Sequence, residues 1–189
     1  MNARLGWAPA AVLGAALFSL SAEAAVSVVG AGPAQLCYQA ADTNASPADF
    51  MSYCDQALAG TLSDADRAAT FVNRGVLKLA MADVDPAAAD FQASLAIDAK
   101  MGEAYIDLGA TQIAHKRYGE AVRNITKGLA LGTKQPHLAY YDRAIAEEGL
   151  GDLRAAYDDY REAATLKPDF APASDELKRF KLVEKPSGT

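Results

Sequence analysis

Phe71-Val72-Asn73-Arg74-Gly75-Val76-Leu77-Lys78 returns as Tyr105-Ile106-Asp107-Leu108-Gly109-Ala110-Thr111-Gln112, and again as Tyr140-Tyr141-Asp142-Arg143-Ala144-Ile145-Ala146-Glu147. Each octet opens on an aromatic and places a Gly or Ala four residues later. The phase holds downstream, where Ala87-x3-Phe91 becomes Ala121-x3-Ile125 and then Ala156-x3-Tyr160, and the units close on Ala99, Thr133 and Pro168. Gly75 to Gly109 is 34 residues and Gly109 to Ala144 is 35; the spare residue falls between Thr133 and Tyr140, where Pro136 stands. Three unrelated helical hairpins would not repeat large and small positions at fixed offsets. A period of this length marks a supersecondary unit that buries its core only against its neighbours.

Over residues 67–169 the pattern resembles the tetratricopeptide repeat family, with its aromatic, its Gly or Ala, its second Ala and its late Pro. Two departures stand out: the opening aromatic is Phe or Tyr in place of Trp, and the closing Pro survives only as Pro168. The resemblance implies an all-α, right-handed solenoid of antiparallel helical hairpins. Working outward, Ser63 and Asp66 cap the first repeat, Asp85-Pro86 starts its second helix, and helices are expected at about 103–115 and 119–131. Pro136 opens the third repeat, Gly151 and Asp152 separate its two helices, and Pro168 ends it. The three repeats occupy residues 63–169. A degenerate hairpin precedes them at 34–62, with Ser46 as cap and Pro47 at the first helical position. A capping helix follows at 170–184, carrying an apolar stripe of Leu177, Phe180 and Val183, and residues 185–189 read as a disordered tail.

The N-terminus reads as an export signal over residues 1–24. One cation precedes an uncharged, mostly apolar run from Leu5 to Leu20, and Ala22-Glu23-Ala24 offers small residues around a cleavage bond. Sixteen residues interrupted by Gly6, Pro9 and Gly14 are fewer than the roughly 20 that span a bilayer. Residues 25–33 would then form an N-terminal arm of a periplasmic or secreted protein. Cys37 and Cys54, the two cysteines, both follow the signal. In an oxidising compartment a disulfide is favoured over two buried thiols or a metal role, and the repeat register puts them on the two helices of one hairpin.

The net charge of −6 and pI near 4.9 argue against a phosphate-backbone partner. No phosphate-cradling loop, His-Glu-x-x-His or Gly-x-Ser-x-Gly pattern is present, and the two histidines lie on different repeats. Asp158-Asp159 and Glu147-Glu148 are adjacent on helices, point about 100° apart, and read as solvated faces. The sequence therefore predicts no catalytic residue, cofactor or metal.

The recurring Gly75, Gly109, Ala144 and Ala87, Ala121, Ala156 are close-approach positions, with Phe91, Ile125 and Tyr160 filling the space beside them. Ile97, Leu131 and Leu166 are expected to close the second helices. What remains is the inner wall, which in this family is lined by the first helix of each unit. Carried across, it comprises Val72, Asn73, Val76 and Leu79, then Ile106, Asp107, Ala110 and Ile113, then Tyr141, Asp142, Ile145 and Glu148. Chaperone-binding members use Lys, Arg and Asn on this wall to hold a peptide's terminal carboxylate, and Val72, Val76 and Asp142 do not suit that task. The resemblance implies a non-enzymatic protein–protein interaction module. Its partner is a protein or peptide offering apolar groups with a nearby Lys or Arg, with Tyr141 as the main anchor and Tyr140 in the core. Two alternatives stay open: a wall partly covered by the chain's own arm or last helix, and a structural or self-assembling subunit of an envelope complex.

Overall fold

Ser63 ends the segment before the first full repeat, and its hydroxyl accepts the amide hydrogen of Asp66 at 3.1 Å. That contact satisfies one of the donors a helix start leaves open, and helix α3 (Asp64–Ala80) runs on from it. In the computed structural model, which describes residues 4–6, 25–28, 32–43 and 47–183, α3 is the third of a series of antiparallel helices. Before it come α1 (Pro33–Thr43) and α2 (Pro47–Ala59). After it come α4 (Val84–Ile97), α5 (Gly102–Ala114), α6 (Tyr118–Leu131), α7 (Pro136–Leu150), α8 (Leu153–Leu166) and α9 (Ala171–Leu177). The expected leader over 1–24 lies outside the described residues apart from Arg4–Gly6, as do Ser46 and the tail at 185–189.

Each helix packs on the next, giving an all-α solenoid of hairpins α1–α2, α3–α4, α5–α6 and α7–α8. The small positions do what close approach requires. A Cβ added to Gly75 would stand 2.5 Å from the Phe91 ring, and one added to Gly109 would stand 2.5 Å from Ile125. Phe91, Ile125 and Tyr160 are buried against them. Gly128 leaves room for Ile106 in the same way. Cys37 and Cys54 form a disulfide, fully buried, that ties α1 to α2.

The structure moves four expectations. Helix α4 starts at Val84 with Asp83 at the cap position, so Pro86 falls within the first turn, where its missing N–H is no loss. Asp85 instead faces His115 at 2.9 Å. Ile97, Leu131 and Leu166 are exposed, at 37%, 41% and 45%. They recur at the repeat period, so the helix ends present an aliphatic row to solvent. Asp159 is buried in a fork with Arg143 (2.7 and 2.8 Å), and Asp158 is half-buried and paired with Arg154 and Arg161, so neither is a freely solvated acid. The first repeat has the same fork, Arg74 on Asp90 at 2.9 and 2.7 Å. The second repeat has Leu108 and Asn124 at those positions, and Asn124 donates to Gln112 instead.

The C-terminal cap is the fourth change. Helix α9 ends at Leu177, not near residue 183. Turn hydrogen bonds carry the chain through Lys178, Arg179 and Phe180, and Phe180 folds back on Tyr157 and Tyr160, with ring centroids 5.7 and 6.0 Å away. The cap thus covers the last apolar face with Phe170, with Ala173 and Leu177 of α9, and with Phe180 on the turn. Beyond it, β2 (Lys181–Val183) pairs antiparallel with β1 (Arg4–Gly6). Among the described residues, no helix is long and apolar enough to cross a membrane.

Candidate protein-binding wall

Helices α3, α5 and α7 stand side by side and carry the residues that the repeat register assigned to the inner wall. Their side chains are more deeply placed than an open groove would leave them. Val72, Asn73, Val76, Ile106, Asp107, Ala110, Ile113, Tyr141 and Asp142 are all buried, and Leu79, Ile145 and Glu148 are half-buried. Ile106 is drawn into its own hairpin, against the space left by Gly128. Tyr141 packs its ring on Tyr160 at 5.5 Å and edge-on to Phe170 at 5.3 Å. It is a core aromatic of the last repeat and not an open anchor. Tyr140 is the half-buried one of the pair, with the Arg143 guanidinium 5.2 Å from its ring. Tyr141, expected as the anchor, is thus the buried one of the two, and Tyr140, expected in the core, is half-buried.

The chain itself occupies both ends of the wall. At the first repeat, Asn73 Oδ1 accepts the Val26 amide hydrogen at 2.7 Å, and Asn73 Nδ2 donates to the Val26 carbonyl at 2.8 Å. Both polar groups of an otherwise buried amide are spent on the backbone of one extended residue, which fixes the register of the Ala25–Val28 arm. At the third repeat, Glu148 accepts from Arg179 at 2.6 Å and from the Tyr160 hydroxyl at 3.2 Å. Glu148, expected on a solvated face, is thus tied to the cap.

Between these ends lie Asp107 and Asp142, at the same repeat position as Asn73. Asp107 is 6% exposed, and its Oδ2 has no hydrogen-bond partner. Burial, then the charges of Asp142 and Glu103, push its carboxyl well above the usual range. Burial alone pushes Asp142 up to about 7. Burial, with Glu176 next, pushes the Tyr141 phenol up to about 12. Burial thus holds both carboxyls toward their neutral form, and neither offers a counter-charge to a peptide carboxylate. Among the described residues, no group of three or more His, Cys, Asp or Glu could hold a metal ion.

Solved structures show the same stacking of hairpins. The TPR domain of Arabidopsis OM64 superposes with a TM-score of 0.58 at 20% identity, covering 62% of this chain and 96% of that one. The second TPR domain of human RPAP3, in complex with an HSP70 peptide, gives 0.56 at 21% identity, covering 61% and 96%. MamA from Desulfovibrio magneticus RS-1 gives 0.62 at 18% identity, covering 79% and 84%. The chain has the tetratricopeptide-repeat fold. No protein-family model and no curated protein matches it in sequence. The tetratricopeptide register accounts for the phase of the close-approach glycines. It also explains how Asn73, Asp107 and Asp142 come to share one face. The alternative of a wall partly covered by the chain's own arm or last helix matches what is found at its two ends, although the particular pairs, Val26 on Asn73 and Arg179 on Glu148, join segments outside the repeat period and were not readable.

Proposed function

We propose that this chain is an exported, non-enzymatic interaction module of a bacterial periplasm, whose inner wall binds an apolar partner segment carrying a Lys or Arg. The observation that carries the reading is the Asn73–Val26 pair, because it puts an extended backbone on this wall with its hydrogen bonds met. The RPAP3 neighbour, in complex with an HSP70 peptide, supports the same use of the fold. The buried acids Asp107 and Asp142 set the preference for a cation over a carboxylate. The apolar leader and the Cys37–Cys54 disulfide agree with an oxidising compartment. Apolar contact would supply most of the affinity, at roughly 25 cal/mol per Å² before association costs. Because both acids are buried and held toward the neutral form, they would act on selectivity at short range, with little dependence on salt.

The test is crosslinking capture from the native envelope with three forms of the mature chain. Leu79→Ala and Ile145→Ala trim half-buried wall residues, and Arg123→Ala trims an exposed residue of α6. The reading expects a single partner whose affinity falls about tenfold with the wall variants, equivalent to about 1.4 kcal/mol, and is unchanged with Arg123→Ala. Equal capture by all three forms would remove the wall as the binding surface. A second reading, self-assembly, is favoured by the exposed row of Ile97, Leu131 and Leu166. Sedimentation across a concentration series separates the two, since only self-assembly makes the mass rise with concentration.

A further inference from the structure

The Ala25–Val28 arm shows what the first repeat of the wall accepts. Asn73 takes the N–H and the C=O of one residue, Val26, at 2.7 and 2.8 Å. Neighbouring strands pair in this way, since an extended residue turns both groups to one side. A helix could not replace the arm here. Its interior groups are already paired, and its ends offer N–H groups or carbonyls but not both from one residue. Around that grip the arm's side chains are sorted by burial. Ala25 is buried in the cluster that holds Val72, Val76 and the Cys37–Cys54 disulfide. Val28 is buried with Ala34, Ala57 and Ala69, and Ser27 is exposed. Two small buried side chains and two hydrogen bonds are set against the ordering of the whole arm, so the contact is one that a similar segment can exchange. An empty site would leave the Asn73 amide unpaired beside apolar groups, so whatever displaces the arm must offer the same backbone pair.

We propose that the first repeat carries a peptide site which the arm fills as an internal competitor. Its external occupant is an extended segment of a partner with the arm's own pattern: a small residue, a residue with a free N–H, any residue, and a branched aliphatic. This rests on the reading of the wall as a peptide-binding surface, and names what its first repeat takes. The pattern excludes Pro at the second position, where Asn73 needs the N–H. It excludes a large side chain at the first, where Ala25 is buried. A tethered arm acts at an effective concentration of about millimolar, so a free segment competes poorly until the arm is loosened. A partner that also covers α5 and α7 has the further contacts with which to displace it.

The probe is the peptide Ala-Val-Ser-Val-Val, the sequence of residues 25–29, acetylated and amidated and titrated into the protein by NMR. Two variants loosen the arm without touching α3. Val28→Asp puts a charge in its apolar seat, and Val26→Pro removes its N–H. The arm lies outside the helices, so the amides of α5 and α7 should keep their hydrogen-exchange protection in both. The peptide should bind each variant about tenfold or more tightly than it binds the unaltered protein, where the tethered arm competes. Adding Asn73→Ala to Val28→Asp should remove that gain, and so should a peptide with Pro as its second residue. Equal affinity for the unaltered protein and both variants overturns the proposal, because the arm would then not compete. No binding to either variant at millimolar peptide also overturns it, and makes the arm a fixed part of the fold. A fall in the sedimenting mass of the unaltered protein on adding peptide overturns the assignment to a partner, since the arm of a second copy would then be the occupant. Envelope capture reports separately on the wall. Capture that still depends on Leu79 and Ile145 while the peptide fails removes this site and leaves the binding wall standing.

Discussion

At the scale of the residue, the informative positions are those where the repeat keeps its geometry and changes its chemistry. Asn73 is an amide with both groups satisfied by one backbone residue, while its counterparts Asp107 and Asp142 are acids in the same buried place. The consequence is a pH dependence of known sign. Asp142 has a folded pKa of about 7, against an unfolded value of about 3.9. The folded state therefore takes up this proton first. Stability from this group is greatest below the unfolded pKa and is lost as pH rises toward 7, by up to about 4 kcal/mol. Asp142→Asn should flatten the stability profile between pH 4 and pH 8 and raise stability at pH 8. Urea melts of both proteins at several pH values check this, and parallel profiles would show that Asp142 is not buried as described.

At the scale of the element, most of what holds the helices was legible in the sequence. The caps at Ser63 and Asp152, the stop at Gly151 and the glycines facing Phe91 and Ile125 were readable because each follows from local chemistry repeated in register. What was not legible depends on contact between elements. The start of α5 is one case: a Cβ on Gly102 would collide with the Gly132 carbonyl and meet the Gly128 carbonyl at 3.0 Å. Backbone cannot move aside as a side chain can. Gly102→Ala should therefore destabilise the protein by about 1–3 kcal/mol, more than Gly119→Ala, where the nearest atom is the end of Arg123 at 3.8 Å. Thermal melts of the two variants decide it. The disulfide is an element-scale feature as well, closing 17 residues between α1 and α2. Cys37→Ser with Cys54→Ser should cost about 3 kcal/mol. Hydrogen exchange should place the loss in α1 and α2 first.

At the scale of the whole molecule, the repeat predicts a one-dimensional object in which each unit leans on its neighbours. The ends are where the sequence misled. The apolar stripe of Leu177, Phe180 and Val183 suggested a long helix, yet Phe180 covers the last repeat from a turn because Tyr157 and Tyr160 leave an aromatic surface there. Truncation after Phe170 removes α9, Arg179 and Phe180 together. The third repeat should then lose amide protection before the first, and uniform loss along all repeats would contradict a stack stabilised by neighbours.

The other end carries the central claim, that the inner wall holds an extended chain. The amide of Val26 is the most direct witness, because its partner is a wall side chain and not a helix of its own. Hydrogen exchange of the protein should show the Val26 amide protected. In Asn73→Ala that protection should vanish while the amides of α5 and α7 keep theirs. A Val26 amide that exchanges freely in the unaltered protein would contradict the account, since the wall would then be holding nothing.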